Sequence, residues 1–138
     1  MTKLFTTRMA QYILQKLEDK MNPDSPSKLK YAGLSGHESN LFPFMLQYKL
    51  TNLDCIINNL KNNTPPPVKG CETPPKFASN LMWELSQDNQ SNWYVGTFFN
   101  GVLIKSCEKP NDDMYCTFED FQKFMQQNFI LSDDEFNE

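Results

Sequence analysis

The chain has 138 residues, a net charge of −4, and 39% hydrophobic residues. That length suits about one domain and a modest core. The bases are scattered and Arg8 is the single arginine, which argues against nucleic-acid binding. No apolar run approaches the roughly 18 residues of a membrane span.

Residues 3–21 place Phe5, Met9, Ile13, Leu17 and Met21 at i, i+4 spacing, with Tyr12 beside them and Lys, Arg, Gln and Glu opposite. This predicts an amphipathic helix of about five turns with that stripe as its core face. The segment has no continuous apolar core and no small-residue cleavage site, so it reads as a helix and not as a signal peptide. Asn22-Pro-Asp-Ser-Pro-Ser27 ends it as a loop.

Residues 29–35 are expected to form a central, buried strand, because they combine weak alternation with small residues. Gly36-His-Glu38 follows, and His37 is the only histidine. Ser39 is expected to cap a helix running to about Lys49, with Pro43 in its first turns, where a missing N–H costs least. A helix–strand–helix order is an α/β signature. A strand that ends in a polar turn and feeds a helix N-terminus is a common anion site. A lone histidine is otherwise most simply structural, and an unrelated α/β module is the plainer reading.

A short helix is predicted at Leu53–Leu60, then a loop from Asn62 to Pro75 with five prolines. Residues 78–85 read as a strand with Leu81, Trp83 and Leu85 on one face. Asp88–Asn92 reads as a turn, and residues 93–99 as the next strand. Asn100-Gly101 is the signature of a type I′ hairpin into Val102–Ile104. Thr117 is expected to cap a helix to about Phe129, with Asp120 at its N3 position and Phe118, Phe121, Phe124 and Met125 as its apolar face. Residues 131–138 read as a frayed acidic tail. Glu84 is read as a structural hydrogen-bonding or ion-pairing group, and Trp83 and Trp93 as packing residues.

Four cysteines, Cys55, Cys71, Cys107 and Cys116, allow three connectivities. The local pairs Cys55–Cys71 and Cys107–Cys116 are the most natural, since each spans one Pro- or Asn-rich loop. They read as staples in an oxidising compartment. The alternative, four reduced cysteines in a cytosolic protein, fits the lack of a recognisable signal peptide. Asn62-Asn-Thr64 and Asn89-Gln-Ser91 are N-glycosylation sequons, the first weakened by the following proline. No C-x-x-C pair occurs, and one histidine cannot complete the usual zinc patterns, so no metal or other cofactor is expected.

The order of landmarks resembles the C-terminal third of the histidine acid phosphatases, the branch with prostatic and lysosomal acid phosphatases and phytases. Lys30-Tyr-Ala-Gly-Leu-Ser-Gly-His-Glu-Ser-Asn-Leu41 is similar to that family's strand ending in Ser-x-His-Asp before a helix. Pro74-Pro-Lys-Phe-Ala-Ser79 is similar to its Pro-Pro-Tyr-Ala-Ser. Trp93-Tyr-Val-Gly-Thr-Phe-Phe-Asn-Gly101 is similar to its aromatic strand closing on Asn. Cys107 and Cys116 precede a Phe-rich helix, as a late cysteine pair does there. The resemblance spans roughly residues 3–128.

It implies a phosphoglycerate-mutase-like α/β domain with an antiparallel meander and a C-terminal helix. It further implies phosphomonoester hydrolysis in a secreted, lysosomal or vacuolar protein. His37 matches the phosphate-binding histidine, and Glu38 matches the proton donor, which is normally Asp. The family's nucleophilic histidine lies in an Arg-His-Gly motif that is absent here, and Arg8 cannot form its arginine cluster alone. The chain is therefore expected to be a single, incomplete domain that is inactive by itself. An N-terminal portion, companion chain or homo-oligomer would complete it. The alternative is a catalytically inactive accessory subunit of a larger assembly.

Overall fold

A computed structural model describes residues 2–62, 75 and 77–132. It contains helices α1 (Thr2–Met21), α2 (Glu38–Gln47) and α3 (Leu53–Asn62), strands β1 (Leu81–Gln87), β2 (Trp93–Phe99), β3 (Val102–Ile104) and β4 (Cys116–Thr117), and helix α4 (Phe118–Phe129). The architecture is mixed α/β with a small sheet, and every pairing in that sheet is antiparallel.

The meander forms where local signals are strong. β1 and β2 pair along their full length, from Leu81 opposite Phe99 to Gln87 opposite Trp93. Asn100 and Gly101 both take positive φ, 50° and 79°, as the tight turn into β3 requires. β3 pairs with the Thr97–Phe99 end of β2, and β4 pairs with its Tyr94–Val95 end. β2 is therefore central, with β1 along one side and β3 and β4 end to end along the other. The Cys107–Cys116 disulfide joins the exit of β3 to β4, and both cysteines are buried. Cys55 is also disulfide-bonded. Cys71, expected as its partner, lies outside the described residues, as do residues 133–138 of the expected tail.

The two-residue period of β1 and β2 sorts their side chains by face. Leu81, Trp83, Leu85 and Val95 pack with Phe44 of α2 and Tyr48 just after it, Ala10, Ile13 and Leu14 of α1, and Phe121, Met125 and Phe129 of α4. The aromatic centre is dense: Phe129 lies 5.0 Å from both the Phe44 and Tyr48 rings, and Phe44 meets Trp83 edge-on at 5.9 Å. Trp83 also donates its indole N–H to the Tyr48 hydroxyl at 3.1 Å. On the opposite face Tyr115 covers Gly96, where any Cβ would sit 2.7 Å from the tyrosine ring.

Three expectations are corrected. The predicted strand at 29–35 is absent; residues 28–37 are exposed and lie outside any helix or strand, with a bend at Lys30, and Leu29 is at 55%, Tyr31 at 81% and Leu34 at 58% exposure. A lone segment cannot satisfy a strand's backbone groups internally, and the described sheet does not pair with it.

The core stripe of α1 is displaced at its start. Ile13 is buried and Met9 and Leu17 pack against the core as expected, but Thr6, Ala10 and Leu14 are buried beside them, whereas Phe5 is 69% exposed and Tyr12 lies in solvent. Each i, i+4 step overshoots a full turn by about 40° at 3.6 residues per turn. A strict i, i+4 row therefore winds around the helix and cannot all face one core.

Helix α2 starts one residue before the expected cap, at Glu38, with His37 as its N-cap. Its Pro43 is buried inside the helix. The helix ends in a Schellman arrangement, with Leu50 N–H donating to Met45 C=O at 2.9 Å, Lys49 N–H donating to Leu46 C=O at 3.1 Å, and Lys49 at φ 57°. At α4 the expectation holds: the Thr117 hydroxyl oxygen accepts from Asp120 N–H at 3.2 Å.

Candidate functional site

Residues 36–40 build the turn that carries His37 and Glu38. His37 keeps an extended backbone, φ −90° and ψ 168°, and its N–H donates to the Asn40 side-chain oxygen at 3.0 Å. Asn40 N–H in turn donates to His37 C=O at 2.9 Å. Gly36 makes room for this closure, because a Cβ there would stand 2.9 Å from the Asn40 oxygen. Asn40, and not Ser39, therefore closes the helix entrance.

His37 and Glu38 are both exposed. Neither side chain has a hydrogen bond or ion pair among the described residues. Glu38 lies in the first turn of α2, where the helix dipole favours a negative charge. The first N–H groups of a helix lack intrahelical acceptors. An imidazolium beside such N–H groups can hold one edge of an oxyanion. The adjacent carboxyl group can donate or accept a proton.

The remaining expected elements of chemistry are not gathered at this turn. Arg8 is exposed on α1 and has no ion pair among the described residues. Glu84 serves the sheet surface: its carboxylate accepts from the Tyr115 hydroxyl at 2.9 Å. Partial burial, with this bond and the nearby charges of Glu84 and Asp113, pushes the Tyr115 phenol above its ordinary value. Trp83 is a packing residue, and its indole N–H is used internally. Among the described residues, no group of three or more His, Cys, Asp or Glu side chains could hold a metal ion. No described helix is long and apolar enough to cross a membrane.

A depression of about 490 Å³ opens between the end of α2 and the start of α3, lined by Leu46, Gln47, Lys49, Thr51, Asn52, Leu53 and Asp54. Sequence reasoning passed over it, since no motif marks these residues and the hollow exists only where two helices meet. It does not include His37 or Glu38.

No protein-family model, curated protein or solved structure matches the chain.

Proposed function

We propose that the chain is the C-terminal part of a phosphoglycerate-mutase-like histidine phosphatase domain, and that His37 and Glu38 are half of its phosphomonoesterase site. One observation carries the reading. A segment outside any helix or strand, with Leu29, Tyr31 and Leu34 in solvent, leads into His37, whose own backbone is extended, at the start of α2. Exposed apolar residues on an unpaired segment at this position suit a strand whose neighbouring strands are supplied from elsewhere.

In the completed site, a histidine of an Arg-His-Gly segment attacks phosphorus and forms phosphohistidine, splitting one difficult displacement into two. His37 and the N–H groups of α2 hold the phosphoryl oxygens, with arginines of the missing portion stabilising the transferring charge. Glu38 gives its proton to the leaving alcohol and takes one back from the hydrolytic water. Glutamate places its carboxyl one C–C bond, about 1.5 Å, further out than aspartate, and a rotamer of this exposed side chain must absorb that difference. The disulfide at Cys107–Cys116 suits the secreted or lysosomal setting of such enzymes.

The test is intact-mass and co-purification analysis of the protein from its source, followed by an aryl phosphate assay at acid pH. The expected result is an Arg-His-Gly segment, in the same or a companion chain, and turnover abolished by His37→Ala. Full turnover in that variant would sink the proposal. A second reading, an inactive accessory subunit, is favoured by the position of the single arginine on the exposed side of α1. It predicts stable partner chains without Arg-His-Gly and no turnover in the assembly.

A further inference from the structure

The turn between β1 and β2 carries Asn89-Gln-Ser91, one of the two sequons in the chain. We infer that Asn89 is an N-glycosylation site, its carboxamide taking an oligosaccharide from a polyprenyl-pyrophosphate donor.

The turn is held together without the side chains of Asn89 and Ser91. The Asp88 carboxylate accepts from the N–H groups of Gln90 and Asn92, each at 2.8 Å, and from the Asn92 carboxamide at 2.9 Å. The Tyr94 hydroxyl approaches it at 3.4 Å. Main-chain bonds join Ser91 N–H to Asp88 C=O at 3.1 Å and Asp88 N–H to Asn92 C=O at 3.0 Å. The side chains of Asn89 and Ser91, by contrast, have no hydrogen-bond partner among the described residues, and both residues are exposed. Joining a sugar to Asn89 therefore breaks no bond of the fold and buries no polar group.

A second observation concerns the compartment. The buried Cys107–Cys116 disulfide belongs to chains that mature where thiols are oxidised, which is also where this transfer takes place. The residue after Ser91 is Asn92, whereas Thr64 of the other sequon is followed by Pro65. The site would be there whether or not His37 and Glu38 take part in chemistry.

The step balances without a redox partner. A bond forms between Asn89 Nδ2 and the anomeric carbon of the donor. The anomeric C–O bond breaks, the pyrophosphate leaves with the electron pair, and one amide proton passes to a base of the transferase.

The test uses protein purified from its own source, with thiols blocked before digestion. Release of glycan by a peptide amidase in heavy-oxygen water converts an occupied asparagine to labelled aspartate. The expected result is label at position 89 in protein whose Cys107 and Cys116 are disulfide-bonded. An unlabelled Asn89 peptide, label at Asn62 alone, or free thiols at Cys107 and Cys116 would each overturn the inference. A parallel arm secretes the full chain from eukaryotic cells. There, Asn89→Gln and Ser91→Ala should each abolish the amidase-sensitive gel shift assigned to position 89, and Ser91→Thr should retain it. Loss in Asn89→Gln but not in Ser91→Ala would count against a sequon-directed modification.

Discussion

The Thr6 hydroxyl donates to the main-chain carbonyl of Phe129 at 2.7 Å, joining α1 to the end of α4 across 123 positions of sequence. The last carbonyls of a helix have no intrahelical donor, and here a buried threonine supplies one. The same hydroxyl lies 3.3 Å from Lys3 C=O, but it has a single proton and the shorter bond takes it. Thr6→Val should keep the volume and leave the Phe129 carbonyl only the long 3.5 Å approach of the Thr7 hydroxyl, which bonds Lys3 C=O at 2.7 Å, costing about 1–3 kcal/mol. Thr6→Ser should lose much less. Urea unfolding of the two variants checks this, and equal losses would show that packing and not the hydrogen bond matters.

Phe129 is also the aromatic hub. It is fully buried and contacts the Phe44, Tyr48 and Phe124 rings at centroid distances of 5.0, 5.0 and 5.9 Å. Phe129→Ala should cost about 3–5 kcal/mol through lost transfer energy and the cavity left behind. The exposed Phe5 provides the contrast: Phe5→Ala should change stability by no more than about 0.5 kcal/mol. Chemical unfolding of both variants measures which residue belongs to the core.

Lys49 occupies the left-handed position at the end of α2, with φ 57°, a conformation that costs an L-residue about 1 kcal/mol or more. Glycine adopts it freely. Lys49→Gly should therefore raise stability by several tenths to about 1 kcal/mol, less the extra freedom glycine gains in the unfolded chain. A lower thermal midpoint would mean that the lysine side chain contributes contacts that outweigh its backbone strain.

Asp88 predicts a pH dependence. Its hydrogen bonds from the Asn92 side chain and backbone, then from Gln90 and Tyr94, hold its pKa below the ordinary carboxylate value. A group depressed in the folded state contributes stability that is fully present above its unfolded pKa. That contribution is lost as pH falls through the folded value. Asp88→Asn should therefore be less stable than the parent at neutral pH, with the gap closing in acid. Thermal melts from neutral pH down through the carboxylate range test this, and a gap that stayed constant would remove Asp88 as its source.

The elements legible in the chain were those with local causes. Asn100-Gly101 needed only positive φ at two residues to be read as a turn, and Thr117 needed only an N–H three residues ahead to be read as a cap. The alternation of Leu81, Trp83 and Leu85 follows from the strand period alone. The start of α2 was legible to within two residues: Ser39 was the expected cap, whereas His37 holds that position and Asn40 closes the turn. The partners of Tyr48 and Glu84 were not legible, because each depends on which strand or helix arrives beside it.

The sequence alone determined where most helices and strands lie and the hairpin turn at Asn100-Gly101, and it favoured the Cys107–Cys116 pairing among three connectivities, because these depend on neighbouring residues and short loops. Tertiary structure decided the rest. It turned α1 so that Thr6 meets the Phe129 carbonyl and Ala10, Ile13 and Leu14 enter the core, since a row at i, i+4 winds around the helix. It left residues 28–37 outside the described sheet, because a strand exists only when a neighbour accepts its backbone hydrogen bonds, and periodicity within one segment cannot supply that neighbour.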